Sequence, residues 1–176
     1  MAFIHFKTKL SAIGPWTIVH LPKSASTKLP SKGLVMVEGN FNGVRFEAAL
    51  EPDGKGSHWF KVGKALQKTA GVKAGGIAQL SIEPAKACPE PAVPADLKKA
   101  LLAAPQAYAT WVDITPLARW DWIRWIGSTK NEETRKRRIE ITFSKFKGGK
   151  RRPCCFNRTQ CTDPLVSNNG ILFEHS

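Results

Sequence analysis

The sequence predicts an α+β protein in which a small β-barrel is followed by a helical segment. Up to Pro84, short runs of alternating apolar and polar residues indicate strands with one buried face. Four prolines, at positions 84, 89, 91 and 94, then interrupt the chain, which is typical of a domain boundary. Beyond them, apolar residues recur every three or four positions, which is the period of an amphipathic helix.

The strongest strand signal is a pair of runs, 34–41 and 44–50, that flank Asn42 and Gly43. This dipeptide predicts a tight hairpin, because both central residues of a type I′ turn need a positive φ. Six or so short strands in about 84 residues favour a small closed barrel, which leaves no exposed sheet edge. The other expected elements are strands at 3–8, 16–20, 58–62 and 77–83, and a short helix at 63–70.

These patterns predict four parts of the chain. They are a barrel domain at 1–84, a proline-rich linker at 85–94, a helical segment at 95–149 and an irregular, cysteine-containing tail at 150–176. Helix starts are expected at Thr115, which precedes a proline, and at Asn131, which precedes two glutamates. The tail has no periodicity, so we expect it to be loosely packed.

The charge of the chain is strongly positive. It holds 27 lysines and arginines against 14 acidic residues, a formal net charge of +13. Residues 119–152 alone hold twelve of the cations and four of the acids. Such a field attracts polyanions, which include nucleic acid, acidic lipid surfaces and acidic proteins. The alternative interpretation is a basic surface that only keeps the protein soluble.

Helical periodicity gives a set of candidate binding residues in this basic region. Ile139, Phe143 and Phe146 should lie on one buried stripe. Arg137, Arg138 and Lys145 are then expected to face solvent and to form a ridge for anionic groups. Trp120 lies opposite the apolar stripe of its own helix, where it can stack on a base or pack against another part of the protein. The alternative is a solvated helix face without a ligand. The candidate set is Trp120, Arg124, Arg135, Arg137, Arg138 and Lys145.

The cysteines suggest a second, weaker hypothesis. Cys88 stands alone in the linker, whereas the other three lie in the tail. Thiolates and imidazole can hold zinc in a tetrahedral site, so the candidate metal ligands are Cys154, Cys155, Cys161 and His175. Adjacent cysteines lack the spacing of a zinc knuckle, and no second pair follows them. Reduced thiols are therefore the favoured interpretation.

Catalytic and targeting motifs are absent from the sequence. The four histidines lack metalloprotease spacing, and there is no nucleophile-elbow, P-loop or dinucleotide-binding motif. We therefore expect no cofactor and no catalytic residues, with a barrel pocket lined by His58 and Glu47 as the enzymatic alternative. The N-terminus has no signal-peptide pattern, and no apolar run has the ~18 residues of a membrane span. The sequence thus predicts a cytoplasmic protein.

Two stretches resemble known families. Residues 33–46, GLVMVEGNFNGVRF, are similar to the barrel of a widespread bacterial domain of unknown function. Residues 125–130 and 133–139 resemble the YdeI/OmpD-associated, or bacteriocin-protection, segment that often follows that barrel. The resemblance implies a double-split β-barrel, related in shape to AbrB-type transcription factors. It also implies an association with resistance to bacteriocins or cationic antimicrobial peptides, and it brings no catalytic residues.

The leading functional hypothesis is therefore a non-enzymatic bacterial binding protein linked to such resistance. Its partner would be an unknown protein or a small anionic ligand, contacted through the barrel and the helical segment. Two alternatives stay open at this point. One is a nucleic-acid-binding protein that uses the basic surface at 119–152, and the other is an enzyme with an unrecognised barrel pocket.

Overall fold

The computed structural model describes residues 3–153 and 156–175. The chain forms two compact units. The barrel unit comprises the described residues up to Ala87 together with 158–161 and 165–175. The helical unit comprises the described residues from Cys88 to Asn157 together with 162–164. Strands dominate the first unit and helices the second, so the predicted α+β class is confirmed.

Seven strands of the barrel unit form one antiparallel sheet in the order β1-β7-β4-β5-β6-β3-β2. Leu10 alone separates β1 from β2, so the two end strands of this order are consecutive in the chain. The sheet therefore curls round, and the bend at Leu10 explains why seven strands form where about six were expected. The strands are β1 (Ile4–Lys9), β2 (Ser11–Ile13), β3 (Trp16–His20), β4 (Val35–Phe41), β5 (Val44–Pro52), β6 (His58–Lys61), β7 (Ile77–Pro84), β8 (Ser167–Asn168) and β9 (Ile171–Leu172).

The hairpin between β4 and β5 forms as the sequence predicts. Asn42 and Gly43 have φ values of 50° and 80°, the left-handed conformations that a type I′ turn requires. β7 pairs with β4 on the side away from β5, and Gly39 of β4 lies very close to the backbone of β7. A Cβ atom on Gly39 would stand 1.8 Å from the carbonyl oxygen of Ser81, so only glycine fits at this position.

The alternating residues of these strands enclose an apolar core. Phe46 stacks on Phe60, with ring centroids 5.7 Å apart, and meets Phe41 edge to face. Leu80 and Ile82 of β7 are fully buried in the same cluster. The interior is therefore filled with side chains, as is usual for a small barrel.

The C-terminal residues belong to the barrel unit, and the expectation of a loosely packed tail was wrong. Cys161, Val166 and Leu172 are buried in one apolar cluster with Trp59 of β6. The backbone N–H of Leu172 donates to the carbonyl oxygen of Asp53 over 2.9 Å. The buried residues come from loops and two-residue strands, so they leave no periodic signal in the sequence.

In its described residues, the helical unit has four helices around its own core. Thr115 and Asn131 cap their helices as expected, with side-chain oxygens that accept from Ala118 N and Thr134 N over 3.1 and 3.0 Å. No helix within the described ranges is long and apolar enough to cross a membrane. The helices of the chain are α1 (Lys23–Ser26), α2 (Lys64–Ala70), α3 (Ala95–Leu102), α4 (Pro105–Asp113), α5 (Pro116–Ile126) and α6 (Glu132–Lys147).

Candidate interaction surface

Arg119 organises the interior of the helical unit. Its side chain is only 10% exposed and forms a bidentate ion pair with Glu90. The same guanidinium donates to the carbonyl oxygens of Trp111, Val112 and Ile114 at the end of α4. The last carbonyls of a helix lack intrahelical donors, so Arg119 caps α4 and ties it to α5.

Two of the candidate binding residues are internal contacts of this unit. Trp120 is half-buried, and its indole N–H donates to the carbonyl oxygen of Pro89 over 2.9 Å. Arg124 is buried, with its Nη1 atom 3.7 Å from Oδ1 of Asp121. Arg152 donates to the other oxygen of the same carboxylate. The structure therefore does not place Trp120 and Arg124 together on an exposed face.

Arg135 and Arg138 of α6 are also engaged within the unit. Arg135 donates twice to Asp96 over 2.9 Å, and this pairing lowers the pKa of the Asp96 carboxyl. Arg138 donates to the carbonyl oxygen of Trp125 over 2.7 Å and to the Ser128 hydroxyl over 2.6 Å. Burial lowers the pKa of Arg138.

The outward orientation expected for Arg138 was therefore wrong. The period of a single helix predicts the direction in which a side chain points. It does not predict which other part of the protein lies in that direction. Here the neighbour is the C-terminal end of α5, whose carbonyls attract a cation. The predicted stripe itself is correct, because Ile139 and Phe146 are buried and Phe143 packs against them.

The cations that face solvent are mainly lysines. Arg137 is exposed as predicted, whereas Lys145 is half-buried. A planar guanidinium makes several directed hydrogen bonds inside a protein, whereas an ammonium is strongly hydrated and stays in water. Arginines thus hold the helices together and lysines form the outer charge. We define the outward cations as five of the exposed residues, Lys130, Lys136, Arg137, Lys147 and Lys150.

A groove runs along α6, where two adjoining cavities of about 760 and 610 Å³ share Glu140 and Phe143 as lining residues. Apolar side chains form much of its floor, and charged side chains stand along its rim. The first cavity is lined by Ala104, Pro105, Gln106, Ala107, Thr110, Glu140, Phe143, Ser144, Phe146 and Lys147. The second is lined by Asp96, Ala100, Lys130, Glu132, Arg135, Lys136, Ile139, Glu140 and Phe143.

The barrel unit contains a polar cluster that the sequence did not reveal. His20 Nε2 lies 2.8 Å from Oδ2 of Asp53, and His175 Nε2 lies 3.0 Å from Nδ1 of His20. Burial alone would raise the pKa of Asp53, but hydrogen bonds from His20 and from the N–H groups of Lys55 and Ser57 lower it to about 2. Because Asp53 is ionised, His20 donates to it and, when neutral, accepts from His175. The C-terminus is thereby joined to β3.

His58 belongs to a second buried network in the same unit. It is 1% exposed, and its Nε2 atom lies 2.9 Å from the carbonyl oxygen of Gly33. The Ser26 hydroxyl lies 3.2 Å from its Nδ1 atom. Burial lowers the pKa of His58. Glu47 is exposed on β5, so the structure does not bring it into a common pocket with His58.

Acidification should destabilise the barrel unit in two separate windows. The folded pKa values of His58 and His175 are both below 6.5, so the unfolded chain takes up these protons first and stability falls as the pH drops below 6.5. Each histidine contributes a loss of at most about 1.4 kcal/mol per pH unit. The contribution of Asp53 is lost later, between pH 3.8 and about 2. Urea unfolding from pH 7.5 to 5.0 measures the first window.

The His58→Gln variant separates this effect from general acid sensitivity. It should reduce the dependence of the unfolding free energy on pH above 5, whatever its stability at pH 7.5, and leave the part that His175 contributes. His5→Gln, at an exposed position on β1, is the matched control and should keep the slope of the native chain. An unchanged slope in His58→Gln would show that the destabilisation has another origin.

The metal hypothesis gains no support from the residues that the structure places. Cys154 and Cys155 lie outside the described residues. Cys161 is buried in the apolar cluster with Val166, and His175 contacts His20. Among the described residues, no three or more His, Cys, Asp or Glu side chains are grouped so as to hold a metal ion.

Comparison with protein families decides how the two units are classified. Residues 6–82 match a domain of unknown function, DUF1905, which covers the seven-stranded sheet. Residues 90–149 match the family described as "Bacteriocin-protection, YdeI or OmpD-Associated", which covers α3 to α6. The barrel unit and the helical unit are thus similar to these two families, in that order. The resemblance predicted from the sequence is confirmed. No curated protein matches the chain.

Proposed function

We propose that this YdeI/OmpD-associated chain is a non-enzymatic bacterial binding protein, which acts in bacteriocin protection by engaging an anionic partner. The observation that carries the proposal is that the cations of the helical unit fall into two groups, one engaged inside the unit and one exposed to solvent. Arginines such as Arg119 and Arg138 stabilise the interior, whereas the outward cations are available for contacts. The link to bacteriocin protection comes from the family that residues 90–149 match.

Electrostatics favours an anionic partner over a cationic one. The whole chain carries a net charge of +13, and residues 88–157 hold fourteen lysines and arginines against seven acidic residues. A field of this sign repels a cationic peptide and accelerates encounters with an acidic one. Protection by direct capture of a cationic bacteriocin is therefore disfavoured. The positive charge of the chain instead favours binding to an acidic protein. That protein is either one that the bacteriocin needs or one that senses the bacteriocin.

The proposal predicts that reversing the charge of outward cations strongly weakens binding to an acidic polymer. One variant replaces Lys130, Lys136, Lys147 and Lys150 by glutamate. We expect the full-length native chain to bind poly-L-glutamate at low salt, and this variant to bind at least tenfold more weakly, because the local field changes sign. Fluorescence anisotropy of labelled polymer measures the dissociation constants.

A matched variant controls for total charge. Lys7, Lys64, Lys68 and Lys73 are exposed in the barrel unit, and their replacement by glutamate lowers the net charge by the same amount. This second variant should keep most of the affinity of the native chain. Equal losses in the two variants would mean that binding follows the total charge alone, and the proposal would then fail.

A further inference from the structure

The groove along α6 is more specific than a charged surface, because its floor is apolar. Phe143 is half-buried at the junction of the two cavities, where its ring is 6.5 Å from that of Phe146. Ala100, Ala104 and Ala107 line the opposite side. Their short side chains leave the space above Phe143 open. An apolar concavity of this kind buries the hydrophobic face of a binding partner.

The charges on the rim are arranged by position along α6. Asp96 and Arg135 neutralise each other through their ion pair. Of the remaining charged lining groups, Lys130, Glu132 and Lys136 lie at one end, Glu140 near the middle and Lys147 at the other end. An occupant with acidic groups at both of its ends and apolar side chains at its centre is complementary to this order.

The length of the groove indicates an extended or helical segment. α6 has 16 residues, which corresponds to about 24 Å at 1.5 Å per residue. An amphipathic helix of four turns has the same length, and its apolar residues at i, i+3, i+4 and i+7 form one continuous stripe. A second copy of this chain is a poorer occupant, because two molecules with a net charge of +13 repel each other.

We infer that the groove between α6 and the helices α3 and α4 binds an acidic amphipathic helix of another protein. The apolar face of that helix covers Phe143, and its acidic ends meet Lys130 and Lys136 at one side and Lys147 at the other. This inference rests on the proposed function and specifies the partner's chemistry. It adds a second requirement for binding, which is that the partner buries an apolar stripe in the groove. Attraction to the outward cations alone does not require such a stripe.

A designed peptide tests the inference directly. The probe has 16 residues, leucines at helical spacing in its centre and glutamates at both ends, and it is titrated into the ¹⁵N-labelled full-length protein. We expect amide shifts concentrated on Ala100, Ala104 and residues 136–147. A peptide with lysines in place of the glutamates should not bind, because its ends then repel the rim.

Obstruction of the groove distinguishes it from the general charge effect. Ser144 and Gln106 are exposed and line the first cavity, so Ser144→Trp and Gln106→Trp fill it without a change of charge or of the core. Each should weaken binding of the acidic peptide at least tenfold. Ala109→Trp, at an exposed position of α4 that does not line the groove, should have no effect.

Two results would overturn the inference. One is acidic-peptide binding that is equally strong in the native chain and in both tryptophan variants. The other is a set of amide shifts spread over the exposed lysines of the whole chain. Either result leaves the proposed function intact if charge reversal in the helical unit still weakens poly-L-glutamate binding at least tenfold. Failure of that charge-reversal test would instead remove the proposed function itself.

Discussion

Replacing Arg119 by alanine should lower the free energy of unfolding of the helical unit by about 3 kcal/mol, because buried carbonyl groups lose their charged hydrogen-bond donor. The side chain is 10% exposed, and its guanidinium donates to three carbonyl groups at the end of α4 as well as to Glu90. Without it, the carbonyl oxygens of Trp111 and Ile114 stay buried and lose a charged donor. Urea unfolding followed by tryptophan fluorescence measures the loss.

Glu90→Gln is the matched control for this prediction. Glu90 is 63% exposed, so its ion pair with Arg119 is screened by solvent and contributes less than about 1 kcal/mol. The two substitutions therefore separate the capping of α4 from the ion pair. If Glu90→Gln cost as much as Arg119→Ala, the ion pair would be the dominant interaction and the capping role would be wrong.

The second large effect is expected at Gly39, in the barrel unit. Gly39→Ala places a Cβ atom 1.8 Å from the carbonyl oxygen of Ser81, a distance that no rotamer change can relieve. β4 and β7 must then separate, which costs about 3 kcal/mol or more, at the upper end of the range for overpacked sites. Circular dichroism during urea unfolding and the NMR signal of the Trp59 indole report this change.

Gly43→Ala distinguishes steric conflict from glycine's conformational freedom. Gly43 has a φ of 80°, but a Cβ atom at this position meets nothing within 4 Å. Its replacement should therefore cost only about 1–2 kcal/mol, the strain of a left-handed conformation. A smaller loss for Gly39→Ala than for Gly43→Ala would show that the sheet yields easily at β7.

Local signals in the sequence predicted the elements and their buried faces. Asn42 and Gly43 specify a turn by their own backbone preferences, and Thr115 caps the helix that starts beside it. The apolar stripe with Ile139 and Phe146 follows from the period of one helix. All of these depend on residues that are close in the chain, so spacing alone is sufficient to find them.

The partners of the charged residues could not be predicted in this way. Arg119 reaches back 29 positions to Glu90, and His175 lies 155 positions from His20. No periodicity links such pairs, because the packing of the whole unit brings them together. A basic segment rich in arginine therefore resembled a ligand-binding ridge. Several of its guanidinium groups instead make hydrogen bonds and ion pairs within the helical unit. For Arg119 and Asp121, no pattern in the sequence indicated a partner.

The salt dependence of poly-L-glutamate binding tests the central claim most directly. Dissociation constants of the native chain and of the two charge-reversed variants are compared between about 20 and 200 mM salt, a range over which screening becomes strong. The account predicts steep weakening for the native chain and for the variant reversed in the barrel unit. It predicts weak, nearly salt-independent binding for the variant reversed in the helical unit. Indistinguishable slopes for the two variants would contradict it.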